Sequence, residues 1–113
     1  NGLLQTDRLM LYFILRNIIN NSVKFSQMGT TISIETVRKE NVFCISVKDQ
    51  GHGFSKEVLQ QLNIISENTN VVDSHGSGIG LSISRKFVKL MNSRIEFKNR
   101  AENGAEVVLS IPV

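Results

Sequence analysis

The chain is poor in cysteine, in long apolar runs and in clustered charge of one sign. Cys44 is the only cysteine among 113 residues, so an internal disulfide is impossible and a cysteine-based metal site is disfavoured. No apolar run approaches the roughly 20 residues that a membrane helix needs, and no signal-peptide pattern opens the chain. We therefore expect a domain that makes no membrane contact itself and works in the reducing cytoplasm, whether or not a parent protein is anchored in a membrane.

The charge of the chain is weakly basic and evenly spread. Its 13 basic and 10 acidic residues give a formal net charge of +3, without the basic block that a nucleic-acid-binding protein carries. We expect no nucleic-acid partner, and the small excess fits either an anionic ligand or simple solubility. With 41% hydrophobic residues, the length suits one domain over 1–113. The abrupt start at Asn1 suggests a fragment of a longer protein.

Hydrophobic spacing divides the chain into helices and strands. Apolar residues recur with a helical period in three segments and alternate, as in strands, in four others. The predicted elements are a long helix over 7–25 capped by Asp7, strands over 31–37 and 42–48, a short helix over 55–62 capped by Ser55, a mobile loop over 64–75, a helix over 79–91, and strands over 94–98 and 105–111. This order predicts an α+β fold, a two-layer sandwich with three helices on one face of a mostly antiparallel mixed sheet.

An asparagine-rich patch occupies the second half of the first predicted helix. At about 100° per residue, Asn17, Asn21 and Lys24 lie within about 60° of one another, beside the apolar stripe. An amide oxygen from Asn21 suits Mg²⁺, which prefers hard oxygen ligands, and Lys24 adds a positive charge for phosphate. A solvated helix face is the alternative, although asparagine is a mediocre helix former.

The run Asp49-Gln-Gly51-His-Gly53 follows the second predicted strand. Because Ile45 and Val47 are placed on the covered face, Asp49 is expected at the end of that face, where a buried carboxylate needs a donor. In the functional interpretation, Asp49 accepts a hydrogen bond from the exocyclic amine of adenine, and Gly51 and Gly53 let the backbone lie close to the base. An ordinary strand end and turn explains the same residues.

A third segment, Gly76-Ser-Gly78-Ile-Gly80-Leu81, leads into the last predicted helix. Its glycine spacing differs from the dinucleotide fingerprint, and no Lys-Ser/Thr pair follows as in a P-loop. Glycines that open a helix still make a phosphate cradle, because free N–H groups and the helix dipole both favour anions. A flexible hinge before the helix is the alternative interpretation.

Two histidines, His52 and His75, lie beside glycines in predicted loops. Neither has carboxylate or cysteine neighbours at the spacing of a metal site. We interpret both as incidental, and not as metal ligands or phosphoacceptors.

In order and separation, the three polar segments resemble the N box, the G1 box and the G2 box of a known family. That family is the catalytic and ATP-binding domain of sensor histidine kinases, in the superfamily that includes DNA gyrase. The resemblance covers nearly the whole chain and implies a Bergerat-type ATP-binding fold, with ATP and Mg²⁺ as cofactors. It implies these ATP-binding positions: Asn17, Asn21, Lys24, Asp49, Gly51, Gly53, Gly76, Gly78, Gly80 and Leu81.

The resemblance also assigns roles to individual positions. It makes Asn21 the Mg²⁺ ligand, Lys24 a phosphate contact and Asp49 the carboxylate that reads adenine. The glycines of the third segment would supply phosphate-binding backbone at the hinge of an ATP lid over about 64–77. No catalytic residue is assigned within the chain.

One position of the resemblance bears on the reaction. Water-activating ATPases of the superfamily carry a glutamate general base one helical turn before the Mg²⁺ asparagine, and this chain has Asn17 there. An amide cannot take a proton from water. Transfer of the γ-phosphoryl group to a protein histidine is therefore favoured over hydrolysis. The implied partners are a histidine-bearing dimerisation domain of the same kinase and the receiver domain of a response regulator.

Several positions depart from the family pattern. Ser22 replaces the usual alanine, Phe54 replaces an aliphatic residue, Asn92-Ser93 replaces a glycine pair, and no phenylalanine lies within 55–75. These departures leave the ligand groups intact and bear on lid closure. Two other functions stay open: a degenerate, non-catalytic nucleotide-binding or interaction module, and a serine kinase of the anti-sigma-factor type. The sequence Lys24-Phe-Ser26 favours a histidine kinase over a serine kinase of that type.

Overall fold

A computed structural model gives three helices and four strands within the residues that it describes. Of the helices, none within the described ranges is long and apolar enough to cross a membrane. The elements are α1 (Arg8–Phe25), β1 (Ser33–Arg38), β2 (Val42–Lys48), α2 (Lys56–Glu67), α3 (Ile79–Leu90), β3 (Arg94–Asn99) and β4 (Ala105–Pro112). The structure describes residues 7–26, 28–67, 79–101 and 103–112, with backbone alone at 25, 61, 63–67 and 79–83.

The four strands form one sheet in the order β1-β2-β4-β3, and all three pairings between them are antiparallel. Ile45 pairs with Leu109, which pairs in turn with Ile95, so one apolar row crosses three strands. Side chains alternate between the two faces of a strand, and this row is buried while the positions between are half-buried or exposed. The predicted α+β sandwich is confirmed.

The core lies between this covered face and the helices. Ile14 and Leu109 are fully buried, and α1 also packs against α3, where the rings of Phe13 and Phe87 meet edge to face at 5.3 Å. An edge-to-face ring pair adds a specific contact to the general burial of apolar area. The helices are thereby fixed over β2, β4 and β3, and the end of the sheet near Asp49 faces them.

The predicted helix caps are confirmed. Asp7 Oδ1 accepts hydrogen bonds from the backbone N–H groups of Leu9 at 2.9 Å and Met10 at 3.0 Å. Ser55 Oγ accepts from the N–H of Val58 at 3.2 Å. Each cap satisfies donors that the first turn of a helix leaves without intrahelical partners.

The second helix is longer than the sequence predicted. It runs over Lys56–Glu67, whereas we expected an end at Leu62 and a loop from Ile64. The helical spacing does continue, because Val58, Leu62 and Ile65 stand at i, i+4 and i+7, but the polar residues between and after them obscured this period. Residues 64–67 are therefore helical, and the rest of the predicted lid, 68–77, lies outside the described residues.

Candidate functional site

A cavity of about 320 Å³ opens between the covered face of the sheet and the helices. The sheet supplies apolar wall from Ile95, Phe97 and Val107, and α2 supplies Val58 and Leu62. The polar residues of the described lining are Asn17, Asn21, Ser22, Asp49, Ser55 and Ser84. A mostly apolar concavity of this size with a few polar groups is typical of small-molecule sites.

Two asparagines of α1 reach the cavity. Asn17 and Asn21 are one helical turn apart, so they lie on the same face, and both line the cavity. The side-chain amide of Asn17 donates to the carbonyl of Phe13 at 3.2 Å. For the side chain of Asn21, no hydrogen bond to any described residue is present. Its amide oxygen therefore remains available at the cavity wall, whereas Asn20 is exposed to solvent.

Lys24 stands apart from the two asparagines. It is exposed in the last turn of α1 and does not belong to the cavity lining. A lysine side chain is long and strongly hydrated, and the end of a helix leaves it facing water. The structure thus brings together Asn17 and Asn21 of the predicted stripe but not Lys24.

Asp49 lies buried at the end of β2, as expected, with only 5% of its surface exposed. Its Oδ1 accepts hydrogen bonds from the backbone N–H groups of Gly51 at 2.9 Å and Ala105 at 3.1 Å. Its Oδ2 accepts none from the part of the chain that the structure describes. Because Asp49 also lines the cavity, one carboxylate oxygen fixes the side chain and the other is left for a ligand.

The turn between β3 and β4 holds the backbone of Asp49. The guanidinium of Arg100 donates to the Asp49 carbonyl at 2.8 Å, and the Asp49 N–H donates to the Ala105 carbonyl at 2.9 Å. Gly104, buried with φ of +103°, lies so close that a Cβ there would be 2.0 Å from the Asp49 carbonyl oxygen. Neither Arg100 nor Gly104 was predicted from the sequence to be part of the site. The sequence shows only a glycine directly before the last predicted strand, and this position does not reveal a contact with a residue 55 positions earlier in the chain.

Asn99 fixes the loop that follows Asp49. Its side-chain oxygen accepts from the N–H of Phe54 at 2.7 Å, and its side-chain nitrogen donates to the Phe54 carbonyl at 2.8 Å. Gly53 allows this approach, since a Cβ there would lie 2.7 Å from the Asn99 oxygen. Phe54 lines the cavity and meets Phe97 edge to face at 6.1 Å. Phe54, a departure from the family pattern, is therefore part of the cavity wall.

The glycine segments are described in part. Gly53 lines the cavity, whereas Gly51 is buried and does not belong to the lining. Gly80 and Leu81 belong to the first turn of α3, whereas Gly76 and Gly78 lie outside the described residues.

The histidines give no sign of a metal site where they are described. His52 is exposed, and His75 falls outside the described residues. Across the described ranges, no cluster of three His, Cys, Asp or Glu side chains is arranged to hold a metal ion.

Comparison with known families decides the class of the site. Residues 6–113 match the model of the family described as Histidine kinase-, DNA gyrase B-, and HSP90-like ATPase. The chain belongs to this family. Membership implies ATP binding, which suits the cavity and its polar groups.

Relatives narrow the family to one kind of domain. The chain is 33% identical to the sensor protein DegM of Bacillus sp. (strain B21-2), over 88% of this chain and 26% of DegM. It is 34% identical to the sensor histidine kinase YvrG of Bacillus subtilis (strain 168), over 85% of this chain and 17% of YvrG. The chain thus spans about a quarter or less of the relatives that it matches. It has the sequence of an ATP-binding, catalytic domain of sensor histidine kinases.

Solved structures agree with the fold. The nucleotide-free catalytic domain of the histidine kinase ThkA superposes with a TM-score of 0.77 at 25% identity, covering 95% of this chain and 69% of that one. The mycobacterial sensor histidine kinase MprB superposes with a TM-score of 0.74 at 20% identity, covering 94% of this chain and 72% of that one. The fold implied by the resemblance is confirmed.

Proposed function

We propose that this domain binds ATP with Mg²⁺ in the cavity and transfers the γ-phosphoryl group to a histidine on a separate dimerisation domain. The observation that carries the proposal is a pair of uncommitted oxygens in one cavity. These are Oδ2 of Asp49 and the amide oxygen of Asn21, neither of which is bonded to a described residue. One is suited to an amine on a base and the other to a hard cation.

The Asp49 end suits the base. An ionised carboxylate only accepts hydrogen bonds, so Oδ2 selects a ligand group that donates, such as the exocyclic amine of adenine. The neighbouring Ile95, Phe97 and Val107 provide apolar surface for the ring faces. Guanine would place a carbonyl acceptor where adenine has its donor. We therefore assign the adenine to this end of the cavity.

The Asn21 end suits the metal and phosphates. Mg²⁺ is usually held by one or two protein oxygens together with substrate phosphates, and a single amide oxygen at the wall fits that requirement. Lys24 and the glycines Gly76, Gly78 and Gly80 remain proposed phosphate contacts. The backbone of Gly80 and Leu81 opens α3, where free N–H groups favour anions. Bound Mg-ATP supplies the transferable phosphoryl group, and the chain's own residues position it.

Asn17 supports transfer in preference to hydrolysis. Its side chain donates to the Phe13 carbonyl, and an amide has no basic site to take a proton from water. In this proposal the domain over 1–113 is one part of a longer cytoplasmic kinase. The histidine-bearing dimerisation domain and a response regulator receiver domain are its partners. Full-length ShkA, solved in complex with AMPPNP, superposes on 91% of this chain with a TM-score of 0.71 at 23% identity, and 21% of ShkA is covered.

A comparison of two neighbouring asparagines tests the metal ligand. Asn21→Ala should weaken Mg²⁺-dependent ATP binding by about tenfold or more, roughly 1.4 kcal/mol, because it removes the proposed oxygen ligand. Asn20→Ala is the matched control, since Asn20 is exposed on the same helix. Titration calorimetry with ATP, with Mg²⁺ and with EDTA, measures both. Equal effects of the two substitutions would contradict the assignment of Asn21.

Labelling with γ-³²P-ATP tests the reaction. Alone, this chain should bind ATP, with neither stable label on His52 or His75 nor rapid hydrolysis. Label should appear when the histidine-bearing domain is restored in the same chain or added separately, because that domain supplies the nucleophile. Absence of ATP binding would instead indicate an interaction module, and acid-stable label on a partner serine would indicate a serine kinase.

A further inference from the structure

Ser84 carries a buried hydroxyl that the proposed function has not used. It lies in the second turn of α3, is 1% exposed and lines the cavity. Its Oγ has no hydrogen-bond partner in the described part of the chain. A serine within a helix can bond back to the carbonyl four residues earlier, here that of Gly80, and Ser84 does not.

Such a hydroxyl calls for a partner. Most buried polar side-chain atoms in native proteins are hydrogen-bonded, because leaving one without a partner costs its full desolvation. Ser84 lines the same cavity as Asp49 and Asn21. A ligand in that cavity is therefore the group best placed to satisfy it.

We propose that Ser84 is a second polar contact for the base, donating a hydrogen bond to a ring nitrogen directly or through one ordered water. This inference rests on the proposed ATP binding. With Ser84 the protein would offer the base both an acceptor and a donor, since the carboxylate of Asp49 accepts hydrogen bonds and a serine hydroxyl can donate one. Adenine offers both a donor amine and acceptor ring nitrogens. Ser84 and Asp49 together would then specify adenine.

The position of Ser84 favours the base over the phosphates. Phosphates are expected at the N-terminus of α3, where N–H groups are free. Ser84 lies five residues beyond Ile79, about 7.5 Å further along the helix axis. The sheet residues that share the cavity wall, Ile95, Phe97 and Val107, are apolar, and a triphosphate would be poorly solvated among them.

Ser84→Ala tests the contact, with Ser46→Ala as the control. ATP affinity of Ser84→Ala should fall about five- to tenfold. Its melting temperature without nucleotide should stay equal or rise, because the hydroxyl has no partner there to lose. Ser46 is half-buried in β2 and does not line the cavity, so Ser46→Ala should leave ATP affinity unchanged. A lowered melting temperature for nucleotide-free Ser84→Ala would reveal a structural partner and overturn the proposal.

Two further ligands identify what Ser84 touches. Among ATP analogues with C–H in place of one ring nitrogen, at least one should bind the natural chain more weakly than ATP. That analogue and ATP should bind Ser84→Ala with equal affinity. Magnesium tripolyphosphate, which has no base, should bind the natural chain and Ser84→Ala with the same affinity. If Ser84→Ala loses as much affinity for tripolyphosphate as for ATP, the contact with the base is overturned. ATP affinity within twofold between the two chains would overturn the role of Ser84 alone, whereas a natural chain that binds no ATP would overturn the proposed function as well.

Discussion

Gly104→Ala should destabilise the domain by about 3 kcal/mol or more. The new Cβ would lie 2.0 Å from the carbonyl oxygen of Asp49 and 2.7 Å from its carbon, and both are backbone atoms. Asp49 cannot shift cheaply, because two hydrogen bonds join it to Ala105 and a third joins its carbonyl to Arg100. Chemical denaturation followed by circular dichroism measures the free energy of unfolding.

Gly29→Ala is the matched control for that substitution. Gly29 has a φ of +83°, and no atom lies within 4 Å of a Cβ added there. Gly104 has a φ of +103°, and a Cβ added there would meet backbone atoms of Asp49. Gly29→Ala therefore measures the left-handed backbone alone, about 1–2 kcal/mol. The difference between the variants isolates the contact with Asp49. If the two variants lose equal stability, the close approach does not constrain the site.

Much of the fold follows from local pattern. Asp7 before a helical stripe predicted where α1 begins, and alternation in β2 placed Asp49 on the covered face. Both inferences depend only on the periods of helix and strand, which neighbouring residues determine. The two cavity-lining asparagines, Asn17 and Asn21, were predictable for the same reason, since they are one helical turn apart.

What the sequence did not reveal depends on contacts between distant segments. In the sequence Asn99 is an ordinary residue at the end of a strand. In the structure its side chain hydrogen-bonds to the N–H and the carbonyl of Phe54, 45 residues away. In the sequence Ser84 is simply a small polar residue of a predicted helix, and only the packing shows that it is buried and lines the cavity. In the sequence Gly104 is an ordinary glycine between two strands, and only the folded structure shows how closely it approaches the backbone of Asp49. No local period encodes such pairings.

Asp49→Asn should lower ATP affinity by about 100-fold, roughly 2.7 kcal/mol, with little change in stability. The substituted amide can keep its oxygen on the N–H groups of Gly51 and Ala105, which bind Oδ1 in the natural chain. Its NH₂ group then occupies the place of Oδ2 and faces the cavity. A donor would thereby meet the donor amine of adenine, and the pair would be unsatisfied. Titration calorimetry measures the loss.

The same substitution predicts a change in base preference. The natural chain should bind ATP at least about tenfold more tightly than GTP, since the guanine carbonyl would oppose the Asp49 carboxylate. In Asp49→Asn that carbonyl would meet an NH₂ donor, so the preference for ATP should shrink or reverse. Glu96→Gln removes one negative charge from an exposed position on β3 and should change neither affinity. Asp49→Asn with an unaltered ATP-to-GTP ratio would mean that Asp49 does not contact the base, because a general change of charge acts on both anionic nucleotides alike.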